Sequence, residues 1–449
     1  MDPQQVTTMA KKFQSVLDAA ILNERGKQLG LSERQRLITP FRLGLSVVAS
    51  MATKRVQSIA DLQRQFTELW ETKSDYKAFY NQLLKANTPE FFRVSLSHIM
   101  GQLTMKVLGC EAGQALRAFG RLMLHDGSSF ALHHALAHVF PGRFNAAHPA
   151  AVELHCPLDV LQDAPITMTL SPDTDSEHDY RPEPESLRGA LFLADRGYLD
   201  LAYLRDMDHH GGVFIVRGTS NVNPRVLQAQ REDGQRLTSC QNRDLQASIA
   251  KFPKQQRAEL AVEGLIDHEP FRLRLIVRWN PQTKCFDYLL TNLSQDTYTI
   301  SMICLGYKIR WQVELLFKEW KSYSNLHKFD TEKETIAEAF IWASLAASAL
   351  KRFLAHVAER LLAVVISTRK AAMPSTYALP GLFRALLQGD GPWYRRAFTE
   401  MMRYLGDNAK RAHPKRDART GRSRLGLKPI FQLSQQAVLI DYREEPIAA

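Results

Sequence analysis

Through the first hundred positions apolar residues recur at three- and four-residue spacing, as in AKKFQSVLDAAILNERGKQLG and SIADLQRQFTELWET, and that period predicts amphipathic helices. Ser32 and Ser58 stand where N-caps belong. From about residue 121 the period shortens to two. RLMLHDGSSFAL, VELHCPLDVL and APITMTLSP predict three consecutive strands, rich in branched residues and broken by Gly, Pro and Asp. A helical stretch around PEPESL follows, then GALFLADRG, a short apolar run expected of a fully buried strand. DLAYLRDMDHHGG predicts a helix stopped by paired glycines, and VFIVRG another buried strand.

Strands with interleaved helices make a mixed α/β layer architecture. Residues 218–295 differ: polar turns alternate with LAVEGLI, FRLRLIVRWN and FDYLLTNL, a pattern predicting a β-rich insertion. After Tyr298 the pattern is helical again to about residue 370. The expected organisation is a helical N-terminal DNA-binding domain (1–105), a first core part (106–217), the insertion (218–295), a second core part (296–372) and a C-terminal helical region with a basic tail (373–449). Basic residues along the first part (Lys11, Lys12, Arg34, Arg36, Arg42, Lys54, Arg55) suggest the DNA contact, and eight bases between Lys410 and Lys428 against one acid predict an extended basic arm.

Composition narrows the function. With 45% hydrophobic and 23% charged residues the chain is of ordinary globular type, not disordered or fibrous. The longest apolar-and-small run, Ala339 to Leu350, is 12 residues, shorter than the about 18 a bilayer span needs. Five cysteines form no CxxC pair, and the first residues carry no apolar leader, so a reduced, cytoplasmic setting is expected. The formal net charge is +11, yet residues 151–200 carry 11 acids and three bases, which leaves +19 on the other 399 residues. A basic body around an acidic segment suits a polyanion binder that holds its ligand beside carboxylates. Apart from Asp195, most of those acids are expected to be a solvated loop.

The segment most informative about chemistry is YKIRWQVELLFKEWKS, residues 307–322. On one continuous helix Tyr307, Arg310, Glu314, Lys318 and Lys321 fall within about 80° of arc, opposite Ile309, Val313, Leu316 and Trp320. One face would pack; the other would present a carboxylate among three cations and a phenol. Many amphipathic helices carry such charges without further role. His133, His134 and His138 lack a third ligand at zinc spacing, and Gly218-Thr219-Ser220 lacks the lysine of a phosphate loop, so neither a zinc site nor a nucleotide cofactor is expected.

The spacing Tyr-x2-Arg-x3-Glu-x6-Lys at Tyr307, Arg310, Glu314 and Lys321 resembles the signature of bacterial insertion-sequence transposases of the DDE type. An Asp-Gly pair ending a first strand (LMLHDGSS, Asp126) and Asp-Arg-Gly-Tyr after a buried strand (LFLADRGY, Asp195) resemble that family's other two marks, in the same order. The resemblance covers roughly residues 110–350. It implies a ribonuclease-H-like mixed sheet with flanking helices, interrupted by the insertion, in which Asp126, Asp195 and Glu314 converge although 69 and 119 residues separate them. It further implies two Mg²⁺ ions, replaceable by Mn²⁺, held by those carboxylates, with Asp126 bridging. Tyr307, Arg310 and Lys321 would hold phosphates of the transposon end, and Lys318, outside the signature, shares their face. The implied activity is nicking and strand transfer at the element's terminal inverted repeats, through a hairpin, with transposon-end DNA, target DNA and a second copy of the chain as partners. Two alternatives stay open at this point: a transposase-derived DNA-binding protein, and a nuclease on the same fold that cuts without joining. Trp279, Phe286 and Tyr288 of the insertion are candidates to support a flipped base, each weighed against a place in the strand core.

Overall fold

The structure, a computed structural model, describes residues 1–32, 36–53, 58–103, 110–111, 116, 118–144, 146–161, 164–219, 221–252, 254–323, 326, 331–389, 391–411 and 428–429. Nine strands build most of an 11-stranded sheet: β1 Arg121–Ala131, β2 Ala151–Asp159, β3 Thr169–Pro172, β4 Ala190–Ala194, β5 Val213–Arg217, β6 Arg225–Arg231, β7 Ala258–Ile266, β8 Glu269–Asn280 and β9 Cys285–Thr291. β1, β4 and β5 run parallel, β2 is antiparallel to β1, and β3 pairs on β2. The resulting order β3-β2-β1-β4-β5 is the ribonuclease-H-like arrangement, with helix Leu201–His209 crossing between the parallel neighbours β4 and β5.

The β-rich segment adds to this same sheet. β9 pairs antiparallel with β5 through Leu289 opposite Arg217, and β8, β7 and β6 follow outward. Period-two alternation then decides what each face covers. Leu122 and Leu124 of β1, Leu191 and Leu193 of β4 and Ile215 of β5 enter one core, shared with helices from the first hundred residues and from 300–408. Met123, Phe192, Ala194, Phe214 and Val216 point the other way, into a second core under helix Leu201–His209 and the added strands. A sheet covered on both faces explains why β2 and β4 are buried along their whole length.

The helices depart from the expected pattern in two places. The stretch AKKFQSVLDAAILNERGKQLG is broken, with helices at Pro3–Ser15 and Ala19–Gln28, because Asp18 turns its carboxylate onto the amides of Ala20 and Ile21 and caps a new helix. Ser58 caps helix Ile59–Trp70 in a full capping box, whereas residues 33–35 after Ser32 lie outside the described residues. More consequential is 307–322, which is not one helix. Helix Ile300–Tyr307 passes through a 3₁₀ turn at Lys308–Arg310 into helix Trp311–Tyr323. The apolar stripe survives this break: Ile309, Val313, Leu316 and Trp320 are all buried. Helix Glu334–Leu362 runs through the large core, and helices continue to Asn408. Of the basic tail, residues 412–427 lie outside the described residues. Among the described residues no helix is long and apolar enough to cross a membrane.

The acidic segment corrects the expectation of a solvated loop. Among the described residues Glu153, Asp159 and Asp173 are buried, Asp175, Glu177, Asp195 and Asp200 are partly buried, and Asp179, Glu183 and Glu185 are exposed. Net charge over a window does not register which faces of its strands are covered.

Candidate active site

Strand register brings the two aspartates together. His125 of β1 lies beside Ala194 of β4 as the last parallel pair, so Asp126 and Asp195 are the next residues on adjacent strands. Val216 pairs with Ala194 on the other side, which sets Arg217 next to Asp195. This is the crevice at the carboxyl ends of parallel strands, where open α/β sheets place ligands. Glu314 enters it from the first turn of helix Trp311–Tyr323, and Tyr307 and Arg310 from the turn before it.

Arg310 occupies the middle. Its Nη1 lies 3.1 Å from Asp126 Oδ2, and its Nη2 lies 2.6 Å from Glu314 Oε1 and 4.0 Å from Asp195 Oδ2. One guanidinium therefore touches all three carboxylates. Tyr307, itself buried, donates its phenol O–H to Asp195 Oδ1 at 3.1 Å, and its ring lies 5.8 Å from the Arg310 carbon. Burial and the Asp195 charge both push the Tyr307 phenol up, so it stays protonated as a donor. Burial works against the charged form of Arg310, but Tyr307 and the three carboxylates overcome it and hold the guanidinium firmly cationic. Burial pushes the Asp126 carboxyl up to about 7, outweighing the pull of Arg310, while the Asp195 and Glu314 charges push it up further and the Gly127 amide lowers it.

The two lysines lie further along the helix. Lys318 is exposed on the outer side of its helix. Lys321 is half-buried; burial lowers its pKa, and the carboxylates acting against that are Glu153 and Asp173. The glycines that follow the aspartates, Gly127 within β1 and Gly197 in a 3₁₀ turn, have a specific reason to be glycine. A Cβ on Gly127 would fall 2.2 Å from Glu153 Oε1, and one on Gly197 would fall 2.3 Å from Glu177 Oε2. Glu153 is buried and pairs with Arg143 at 3.0 Å, whereas the more exposed Glu177 can swing away. Gly127→Ala is therefore expected to cost about 1–3 kcal/mol, with Gly197→Ala far milder. Denaturant unfolding of the two variants measures the difference, and equal costs would contradict it.

Titration of Asp126 gives a second expectation. Its folded value of about 7 lies above the 3.8 of an ordinary aspartate carboxyl, so the folded state holds a proton the unfolded chain has lost between those values. Its contribution to stability is full below about pH 4 and is lost as pH rises to about 7. In EDTA, Asp126→Asn should therefore gain stability relative to the parent as pH rises from 4 to 7. A difference that does not change with pH would contradict this. Comparison with the variant isolates Asp126 from half-buried His98 and buried His125 and His155, whose lowered pKa values act in the opposite direction.

Three carboxylates gathered around positive charge form a hard-oxygen donor set, the chemistry that divalent ions such as Mg²⁺ accept. Among the described residues no three acidic, histidine or cysteine side chains stand ready as they are to hold one ion, because each of the three carboxylates faces Arg310. The site fits a divalent ion in charge and donor type once the guanidinium yields its place.

Sequence reasoning missed Arg217, whose Nη1 is 3.9 Å from Asp195 Oδ1, and the buried Glu153 over Gly127. The one signal for Arg217 is a cation ending an otherwise apolar strand. In the β-rich segment Trp279 meets Phe286 edge-on at 5.0 Å with Lys254 over its ring, and Tyr288 is buried in the strand core.

Comparison with known proteins bears on the family. The family model described as transposase DDE domain matches residues 117–350, just over half the chain. The transposase for insertion sequence element IS231C of Bacillus thuringiensis subsp. berliner is 21% identical over 367 residues, covering 74% of this chain and 76% of the relative. That for IS1151 of Clostridium perfringens is 22% identical over 285 residues, covering 56% of this chain and 57% of the relative. The putative transposase InsL for IS186A of Escherichia coli K12 is 39% identical over a short 62-residue stretch, 14% of this chain and 17% of the relative. A cryo-electron microscopy structure of the piggyBac transposase synaptic complex with hairpin DNA matches at a TM-score of 0.46 and 11% identity, covering 93% of this chain and 89% of that one. Transposase DDE domains in general use divalent metal ions. On the family match over residues 117–350, the chain belongs to the transposase DDE domain family, alongside the transposases of bacterial insertion sequences.

Proposed function

We propose that this transposase recognises the terminal inverted repeats of its own insertion sequence and carries out cut-and-paste transposition on bacterial chromosomal DNA. The observation that carries the reading is the meeting of Asp126, Asp195 and Glu314 on one guanidinium, since it gathers three hard ligands from three separate elements. Two Mg²⁺ ions, or Mn²⁺ in their place, would be held by these carboxylates and would supply activation of the attacking oxygen and stabilisation of the leaving one.

The chain's own residues do the rest. Arg310 neutralises the triad before DNA arrives and then turns to a phosphate of the transposon end, a charge-assisted contact for which its planar fork is suited. Tyr307 orients Asp195 through its phenol proton. Lys321 and Lys318 meet phosphates further along the strand. Water cleaves the phosphodiester at the element's end and releases a 3′-hydroxyl. That hydroxyl attacks the opposite strand's phosphodiester, displacing the flanking strand's 3′-oxygen and closing a hairpin. Water reopens the hairpin to release the 3′-hydroxyl again, and it attacks a target phosphodiester, displacing the target's 3′-oxygen, so every step is a phosphoryl transfer at one site. The partners are transposon-end DNA, target DNA and a second copy of the chain that pairs the two ends; helices of the first hundred residues and the basic tail contribute DNA contacts.

The test is incubation of the purified protein and Mg²⁺ with a duplex carrying the inverted repeats that flank its gene. Nicks at the repeat ends, followed by joining to a second duplex, are expected. Binding without nicking would favour a DNA-binding protein, and nicking without joining a nuclease.

A further inference from the structure

We infer that Asp287, on β9 of the β-rich segment, is a positioning residue for the active site: it holds the Arg217 guanidinium beside Asp195 and keeps it from closing on that carboxylate. The inference rests on the transposase reading above and adds a role for the inserted strands.

Arg217 ends β5 with its side chain about one-third exposed toward the crevice. Its Nη2 donates to Asp287 Oδ1 at 2.9 Å, while its Nη1 stands 3.9 Å from Asp195 Oδ1. One fork thus spans a carboxylate of the candidate catalytic triad and a carboxylate of the insertion, in firm contact only with the latter. Asp287 is itself fixed. It is buried, and its other oxygen accepts from Arg278 Nη2 at 3.3 Å and Asn280 Nδ2 at 3.2 Å, both on β8. The strand beneath is locked as well, because the Gly218 amide donates to the Tyr288 carbonyl at 2.9 Å and a Cβ on Gly218 would fall within 3.0 Å of Leu290 and Tyr288.

Without Asp287, the nearest carboxylate left to Arg217 is Asp195. The guanidinium would then close on a residue needed for metal ions, and a cation facing the DNA phosphate would be lost. Held by Asp287, Arg217 lowers the repulsion between the carboxylates and the incoming strand and leaves Asp195 available.

The experiment is a double-mutant cycle on the full chain, read as affinity for the element-end duplex in EDTA and as single-turnover nicking in Mg²⁺. Arg217→Gln and Asp287→Asn are each expected to weaken DNA binding about fivefold, as loss of one phosphate contact does, with the double variant no weaker than either single one. Nicking should fall about tenfold in each, again without a further loss in the double variant. Arg217→Lys, which keeps the charge but cannot span both carboxylates, should behave as Arg217→Gln. Should Asp287→Asn fail to fold, the lysine variant carries the same comparison. Multiplied losses in the double variant would show Asp287 to act on structure alone, and full activity of Arg217→Lys would show that spanning is not needed; either overturns the inference. Asp126→Asn is the control: nicking by that variant would count against the transposase reading, and the cycle, read from DNA affinity, would stand apart from it.

Discussion

Asp195→Asn is expected to abolish nicking of the element's ends, a loss of about a thousandfold or more, while end-DNA affinity stays within a few fold of the parent. Losses on that scale follow when residues act as a unit, and Asp126→Asn and Glu314→Gln should give the same result, with double variants little worse than single ones. The reason is geometric. The three side chains come from the middle of β1, the end of β4 and one helix, and they share one cationic partner. Loss of any one therefore removes part of a common ligand set, and each change also removes negative charge that repels DNA, so binding should not suffer. Single-turnover nicking beside a binding titration makes the measurement. Normal cleavage by any one variant would remove that residue from the set.

Arg310→Ala should have the second large effect, and it appears before any DNA is added. Asp126, Asp195 and Glu314 then face one another without the cation they share. Breaking a buried ion pair typically costs about 3–5 kcal/mol, and these carboxylates keep some solvent, so about 1–3 kcal/mol is expected in EDTA at pH 8. At pH 5 the loss should shrink, because Asp126 with its raised pKa is then protonated and no longer needs Arg310. Millimolar Mg²⁺ should recover most of the stability at pH 8, since an ion that binds only the folded state stabilises it by mass action. Denaturant unfolding at the two pH values, with and without Mg²⁺, provides the check. A variant as stable as the parent in EDTA at pH 8 would mean that the guanidinium does not balance the triad.

The alternation of apolar residues in RLMLHDGSS and LFLADRG made the two central strands legible, along with the aspartates on them, because period-two patterns are local properties; the Asp-Gly pair does not end the first strand, which runs on through it to Ala131. The register that puts Asp126 beside Asp195 is not local, and it came from the resemblance. The break in the helix at Lys308–Arg310 was not legible either: a 3₁₀ turn keeps nearly the same side-chain faces, so Ile309 and Val313 are buried in both descriptions. That turn lies between Tyr307 on Asp195 and Glu314 on Arg310. Nor could spacing reveal that Arg310 rests on the carboxylates, since a cation and an acid four residues apart fit both a phosphate contact and an internal pair. The pairing of Arg217 with Asp287, 70 residues away, follows only from how the added strands align on β5.

Asp126, Asp195 and Glu314 are expected together to hold divalent ions. Anomalous diffraction from the end-DNA complex grown with Mn²⁺ tests this most directly. Mn²⁺ peaks in direct contact with oxygens of all three carboxylates, and Arg310 withdrawn onto a phosphate, are the expected result. Mn²⁺ bound elsewhere, with the three carboxylates still gathered on Arg310, would contradict it.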